Sequence, residues 1–163
     1  MKRLLLTAAL VALLLPSIGT ATTRSMGDGT LSVQDGRGTF IVNARGGVIG
    51  SFARGRVIIT DPNPDDGTGP IVSMSSDDIR RERSDTTTAW YGTKIRFRLI
   101  GGYFKIKVVG RGVNLSVVGR GQATLNGEGT LDDGSYSVNG ADYLPVLPDQ
   151  ITFPLTASAP SPE

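Results

Sequence analysis

Cysteine and histidine are both absent from the 163-residue chain. The absence of cysteine excludes disulfide bonds, thiolate metal sites and a thiol nucleophile. The absence of histidine removes the commonest general base and the imidazole metal ligand. We therefore expect a protein that is not an enzyme and that needs no cofactor.

Long apolar runs are also scarce, and the clear example lies at the N-terminus. Lys2 and Arg3 precede the run Leu4–Leu15, and Pro16–Ala21 then ends in a small residue suited to cleavage. Such a run is shorter than the roughly 20 residues that span a bilayer as a helix, and the pattern is typical of a cleaved export signal. We predict a signal peptide over 1–21, with an uncleaved or interfacial anchor as the alternative. The mature chain would have no transmembrane span and would be extracellular or associated with the cell envelope.

The length and charge balance of the mature chain indicate a single, nearly neutral domain. The full chain has 17 basic and 15 acidic residues, and loss of Lys2 and Arg3 with the signal leaves equal numbers of each. The mature chain is long enough to bury one sizeable core. We expect one domain over 22–156 with a polar connector at 61–85, and a disordered tail at 157–163. Within the connector, Ser76–Arg83 gives a weak signal for a helix of one or two turns.

Glycines recur at near-constant spacing, and short runs rich in valine, isoleucine, leucine and phenylalanine separate them. A turn residue at about every eight to ten positions, beside runs of strand length, is typical of an all-β sandwich or barrel. We therefore predict a single-domain antiparallel β-sandwich or flattened barrel of about eight to ten short strands. The glycine pairs that carry the pattern are Gly27/Gly29, Gly36/Gly38, Gly110/Gly112, Gly119/Gly121 and Gly127/Gly129.

These glycine-punctuated, valine-rich strands are loosely similar to those of bactofilin-type β-solenoids. The resemblance rests on composition, and it implies repeated strands that stack in parallel. Two hairpin signals, Gly101–Gly102 and Asn139–Gly140, favour antiparallel pairing instead. The β-solenoid is therefore the alternative architecture.

The most detailed local prediction is a hairpin over Lys94–Val109. A two-residue turn at Gly101–Gly102 would place apolar side chains opposite each other on the inner face and cations opposite each other on the outer face. Asn114 and Ser116 of the following strand would point outward beside the cations. The predicted inward pairs are Leu99 with Phe104, Phe97 with Ile106 and Ile95 with Val108, and the outward pairs are Arg98 with Lys105 and Arg96 with Lys107.

The resulting basic surface is the most specific functional feature of the sequence. No acidic residue occurs from Thr86 to Gly127. Rows of exposed cations favour a ligand of negative charge, such as an anionic polymer of the cell envelope. The alternative is a solvated outer face that acidic side chains of a neighbouring strand neutralise. The predicted ligand-binding residues are Lys94, Arg96, Arg98, Lys105 and Lys107.

A weak candidate for a metal site lies in the connector. Asp61, Asn63 and Asp65 place oxygen ligands at alternate positions, as the start of a calcium loop does. Two prolines interrupt the segment, and Val72 stands where a calcium loop has its bidentate glutamate. A surface turn accounts for the same residues, so we expect no metal.

Two other functions remain open. A self-assembling extracellular structural protein would use exposed strand edges. A carboxylate-dependent glycan hydrolase would need two aspartates about 5–10 Å apart in a cleft. The adjacent pairs Asp77–Asp78 and Asp132–Asp133 would point to opposite faces of a strand. Nucleic acid is not an expected partner, because Phe97 and Phe104 point into the core and leave no stacking row.

Overall fold

The structure is a computed structural model that describes residues 27–67, 69–75 and 79–156. The predicted signal peptide and C-terminal tail lie outside the described residues. Within the described residues, no helix has the length and apolar character needed to cross a bilayer. The elements there are β1 (Gly29–Thr60), a 3-10 turn (Pro64–Asp66), β2 (Ile71–Ser75), β3 (Ile79–Arg83), β4 (Thr87–Gly127), β5 (Ser135–Val138), β6 (Leu144–Pro145) and β7 (Ile151–Leu155).

The predicted all-β class is confirmed, and the fold is sandwich-like. Throughout the described residues the named strands pair antiparallel, in one sheet that does not close. This pairing differs from the parallel stacking that the solenoid alternative requires. The expectation of uniformly short strands is wrong, because β1 has 32 residues and β4 has 41.

β1 and β4 are long because each strand winds around the core instead of reversing. Val117 of β4 pairs on one side with Leu31 and on the other side with Val48. Leu31 and Val48 lie in the same strand, and a straight strand between them would extend about 56 Å. β1 must therefore curve around the molecule to reach the second side of Val117.

Glycines line up across the sheet at the places where the strands bend. Gly38 pairs with both Gly110 and Gly127, and Gly110 also pairs with Gly55. The backbones approach so closely that a Cβ atom on Gly38 would lie 2.2 Å from the carbonyl oxygen of Asn126. Since no other residue fits such a contact without a backbone shift, these glycines make corners within strands.

The corners divide the sheet into two layers that cover one core. Buried side chains from both layers form a single hydrophobic cluster. Tyr136 of one layer stacks on Phe153 of the other, with ring centroids 6.0 Å apart. The outer faces of the layers therefore point away from each other. Layer A consists of β2, β5, β6 and residues 29–34, 47–52, 95–100 and 114–118; layer B consists of β3, β7 and residues 38–45, 54–60, 87–93, 105–111 and 121–127.

The predicted hairpin at Gly101–Gly102 is wrong, because the chain does not reverse there. Ile100 pairs with Gly47 and Tyr103 pairs with Arg45, so β4 continues along β1 through the double glycine. The two glycines lie opposite a single residue of β1, which is a β-bulge. The predicted inward positions are nevertheless correct: Ile95, Phe97, Leu99, Phe104, Ile106 and Val108 are all buried.

The predicted turn at Asn139–Gly140 is confirmed. Its φ angles are 53° and 74°, and the N–H of Ala141 donates to the carbonyl of Val138 over 3.0 Å. Positive φ at both central residues is the mark of a type I′ turn. The turn connects β5 to β6.

The weak helix signal in the connector is wrong for Ile79–Arg83, which forms β3. Residues 76–78 lie outside the described residues. β3 pairs with β4 along its whole length, from Ile79 opposite Gly92 to Arg83 opposite Thr88. The pairing with a neighbouring strand outweighs the local helix preference here, as tertiary context commonly does.

Candidate functional site

The five cations of the predicted basic surface do not lie on one face. Arg96 and Arg98 belong to layer A, and Lys105 and Lys107 belong to layer B. Lys94 lies at the corner between the layers, with a φ angle of 51°. The cations separate because β4 continues through the double glycine instead of folding back. Their role in binding a ligand stays a prediction.

The cross-strand neighbours of the four sheet cations are uncharged. Within the described residues, the salt bridges are Arg80–Glu82 and Arg120–Asp28, and neither involves these four side chains. The predicted pairing of these cations with one another is therefore wrong. Among the described residues, no acidic side chain lies directly opposite them either. The flanking pairs are Ser73 and Ile49 for Arg98, Ser75 and Ser51 for Arg96, Asn43 and Thr60 for Lys105, and Ile41 and Ile58 for Lys107.

Layer A has an open groove of about 580 Å³ on its outer side. Arg96 and Arg98 line it together with hydroxyl and amide side chains, and apolar groups, including the exposed side chain of Ile49, make up the larger part of its surface. The groove reaches from β2 to residues 32–34 of β1, so it crosses five adjacent strand segments, one of β2 and two each of β4 and β1. With about 4.8 Å between neighbouring strands, its length is about 19 Å. We call it the serine groove; its hydroxyl and amide residues are Ser32, Gln34, Ser51, Ser73, Ser75, Asn114 and Ser116.

Hydrogen bonds hold several side chains at the β1 end of the serine groove. The hydroxyl of Tyr143 lies 2.8 Å from Ser32 Oγ and accepts a hydrogen bond from Gln34 Nε2 over 2.9 Å. The side-chain oxygen of Asn114 accepts a hydrogen bond from the backbone N–H of Asp35 over 3.2 Å. This end of the groove is therefore preorganised.

Two pairs of arginines lie directly opposite each other at the corners. Arg45 pairs with Arg120, and Arg54 pairs with Arg111. All four side chains are exposed, and Arg120 also approaches Asp28 at 3.9 Å. Like charges directly opposite each other destabilise an antiparallel pair. The sequence pattern indicated none of these pairs, because they depend on the long-range register of β1 with β4.

Asp133 is a buried carboxylate, 3% exposed. Burial raises its pKa, but hydrogen bonds from the Thr130 side chain and from the backbone N–H groups of Gly129, Thr130 and Glu128 outweigh this effect and hold the pKa below its ordinary value. The N–H groups of Gly129 and Thr130 lie 2.6 Å and 3.1 Å from the carboxylate. The backbone carbonyl of Asp133 accepts the N–H of Arg37 over 3.0 Å. The side chain of Asp133 therefore stabilises the loop after β4, and its backbone connects that loop to β1. This is a structural role.

The calcium candidate forms a compact turn. The backbone N–H of Asn63 donates to Asp61 Oδ1 over 3.0 Å, and the 3-10 turn Pro64–Asp66 follows. No group of three or more acidic side chains that could hold a metal occurs within the described residues. The weak calcium candidate at Asp61, Asn63 and Asp65, where the sequence predicts no metal, is untested.

The glycan-hydrolase alternative requires two carboxylates in a cleft. Asp61 and Asp85 both line a cavity of about 510 Å³, together with Arg81 and Arg83. Trp90 also lines this cavity, and the Arg81 guanidinium lies 5.7 Å from the centre of its ring. Glycan hydrolysis is therefore an untested alternative to the predicted non-enzymatic role.

The sequence prediction missed most of the serine groove. Four of its five segments are polar–apolar–polar triplets whose central side chain faces the core, and Ile49-Gly50-Ser51 is the exception. The triplets are Ser32-Val33-Gln34, Ser73-Met74-Ser75, Arg96-Phe97-Arg98 and Asn114-Leu115-Ser116. This recurring triplet is a signal that the sequence does contain. Which triplets become neighbours, however, depends on the winding of β1 and β4.

Comparison with protein-family models, with curated proteins and with solved structures found no match to this chain.

Proposed function

We propose that the chain is an exported, non-enzymatic binding protein that holds an anionic polymer of the cell envelope in the serine groove. The observation that carries the proposal is the position of Arg96 and Arg98 among hydroxyl and amide side chains, without an acidic cross-strand neighbour. Export follows from the predicted signal over 1–21. The absence of histidine and cysteine supports a role in binding rather than catalysis.

The polar side chains of the groove match a polymer that carries both hydroxyl groups and negative charges. Serine hydroxyls both donate and accept hydrogen bonds, so they suit a polyhydroxylated chain. Arginine binds carboxylate or phosphate oxygens through two parallel hydrogen bonds. A groove about 19 Å long that crosses five strand segments can contact several consecutive units of a polymer. Such a ligand is either a phosphodiester polymer or an acidic polysaccharide.

Binding in the serine groove differs from nonspecific electrostatic binding of a polyanion, and two charge-reversal variants distinguish these modes. The double variant Arg96→Glu/Arg98→Glu should weaken binding about tenfold or more, because it reverses both charges in the groove. The matched control Lys105→Glu/Lys107→Glu changes the net charge by the same amount on layer B, and it should leave binding nearly unchanged. Equal losses in the two variants would overturn the assignment to the serine groove.

Binding is best measured by titration calorimetry with a poly(glycerol phosphate) and, separately, with a polyuronate of similar length. The preferred polymer identifies the chemical class of the natural ligand. Affinity should fall as the salt concentration rises, because the interaction depends on exposed charges. An absence of binding to both polymers at low salt would contradict the proposed function.

A structural role in an extracellular assembly is the second candidate. One observation favours it: β2 has an unprotected edge, which is the basis of the inference below.

A further inference from the structure

Within the described residues, four strands pair on one side only: β2, β3, β6 and β7. Unpaired strand edges invite pairing with another chain, and proteins protect them with charge, proline or short length. β3 has the charged run Arg80–Arg83, β7 contains Pro154, and β6 consists of two residues of which one is Pro145. Three of the four edges are therefore protected.

β2 is the exception. Its sequence from Ile71 to Ser75 contains no charged residue and no proline. Ile71 at its start is 68% exposed. The inner side of the strand is half-buried through Val72 and Met74, which pack against the core.

We propose that β2 is a dimer interface at which a second copy of this chain pairs antiparallel with β2, across a twofold axis at Ser73. In this register Val72 lies opposite Met74 of the second copy, so apolar side chains continue along the inner face. Ile71 lies opposite Ser75 of the second copy on the outer face, and the two Ser73 residues face each other. A slip by one residue in either direction would place Val72 opposite a serine of the second copy and interrupt the apolar inner face.

A second copy is the occupant that the edge chemistry favours. A twofold interface must be self-complementary, and an uncharged strand pairs with itself without electrostatic repulsion. In an equivalent pair of two β3 strands centred on Arg81, the two Arg81 side chains would lie opposite each other at the axis. Because one added strand pair buries less than the roughly 1,200 Å² of a stable interface, the dimer is reversible.

The dimer would also lengthen the binding site for the polymer, and this inference rests on the proposed function. An antiparallel strand pair about a twofold axis keeps the outer faces of both layers A on the same side. The serine groove begins at β2 with Ser73 and Ser75. Two grooves would therefore meet at the axis and form one track about twice as long for a polymer.

Sedimentation equilibrium of the purified protein without any polymer tests the interface independently of ligand binding. The wild type should associate reversibly between micromolar and near-millimolar concentration. Ser73→Lys should weaken association at least about fivefold, because it places two like charges opposite each other at the axis. Ser116→Lys is the matched control: it adds the same charge to the same face of layer A, three strands inward, and it should leave association unchanged. Circular dichroism verifies that both variants fold.

Mixing two variants provides the decisive test of the interface. Ser73→Lys and Ser73→Asp should each be largely monomeric alone, and mixing them should restore a dimer that contains one copy of each. A monomeric wild type at near-millimolar concentration would overturn the interface. Equal weakening by Ser73→Lys and Ser116→Lys would also overturn it, as would a mixture that fails to associate. A failure of polymer binding alone leaves the dimer standing and overturns the proposed function instead.

Discussion

A Cβ atom placed on Gly46 would lie 2.2 Å from the carbonyl oxygen of Val118. The φ angle of Gly46 is 151°, which side chains rarely allow. The next residue, Gly47, is different: a Cβ there would meet only the carbonyl oxygen of Leu99, at the ordinary distance of 3.6 Å. Of these two adjacent glycines, only Gly46 is therefore required by a corner of the sheet.

The first prediction compares these two neighbours. Gly46→Ala should lower the free energy of unfolding by at least about 2 kcal/mol, because the new methyl group displaces the backbone of β4. Gly47→Ala should leave it unchanged or raise it by up to about 1 kcal/mol, since alanine restricts the unfolded chain more than glycine does. Urea unfolding monitored by circular dichroism measures both. Similar losses in the two variants would contradict the corner geometry.

The second prediction concerns Asp133. Asp133→Asn should lower the free energy of unfolding by about 1–3 kcal/mol near neutral pH, because the amide replaces an oxygen that accepts hydrogen bonds with a donor. Asp132→Asn is the control: this neighbouring side chain is exposed, and its substitution should cost less than about 0.5 kcal/mol. Urea unfolding of the two variants and the wild type provides the comparison.

The lowered pKa of Asp133 adds a dependence on pH. The folded state favours the ionised carboxylate, so the stabilisation is fully present above the ordinary aspartate pKa of about 3.9. It is lost as the pH falls through the lower pKa of the folded state. The difference in stability between wild type and Asp133→Asn should therefore shrink under strongly acidic conditions. A difference that stays constant from neutral to acidic pH would contradict the predicted ionisation.

The third prediction uses the arginine pair at another corner. Arg54→Glu places an acidic side chain opposite Arg111 and replaces a repulsive pair by an attractive one. The free energy of unfolding should rise by about 0.5–1 kcal/mol at low salt, and the gain should diminish as salt screens it. Arg98→Glu is the control, because both residues opposite Arg98, Ser73 and Ile49, are uncharged. A greater gain from Arg98→Glu would contradict the register at this corner.

Local alternation was sufficient to predict which side chains face the core. Ile95, Phe97 and Leu99 are buried as expected, and so are Phe104 and Ile106. Alternation within a strand depends only on the period of two of an extended chain. It therefore holds whichever partner the strand acquires.

The path of the chain could not be predicted in the same way. Gly101 and Gly102 have φ angles of 73° and 68°, and Asn139 and Gly140 have 53° and 74°. Both dipeptides thus have positive φ at two successive residues, but only the second reverses the chain. The difference comes from the pairing of β4 with β1, which involves residues far apart in sequence. No local pattern contains that information.

The same long-range pairing determined the candidate site. The sequence indicated that Arg96 and Lys107 are outward-facing, and the structure agrees. Whether two outward residues share a surface depends on which layer each strand segment joins. The serine groove depends on this pairing, which places Ser73 and Ser51 on either side of the Arg98–Arg96 segment.

The continuous path of β4 through Gly101–Gly102 separates Arg96 and Arg98 from Lys105 and Lys107. Disulfide mapping tests it directly, because the chain has no cysteine of its own. Ile49 lies opposite Arg98 in the structure, so Ile49→Cys/Arg98→Cys should form a disulfide under mild oxidation. A hairpin would instead join the cysteines of Arg98→Cys/Lys105→Cys. Rapid cross-linking of the first pair and none of the second is the predicted result, and the reverse would contradict the fold and the proposed groove together.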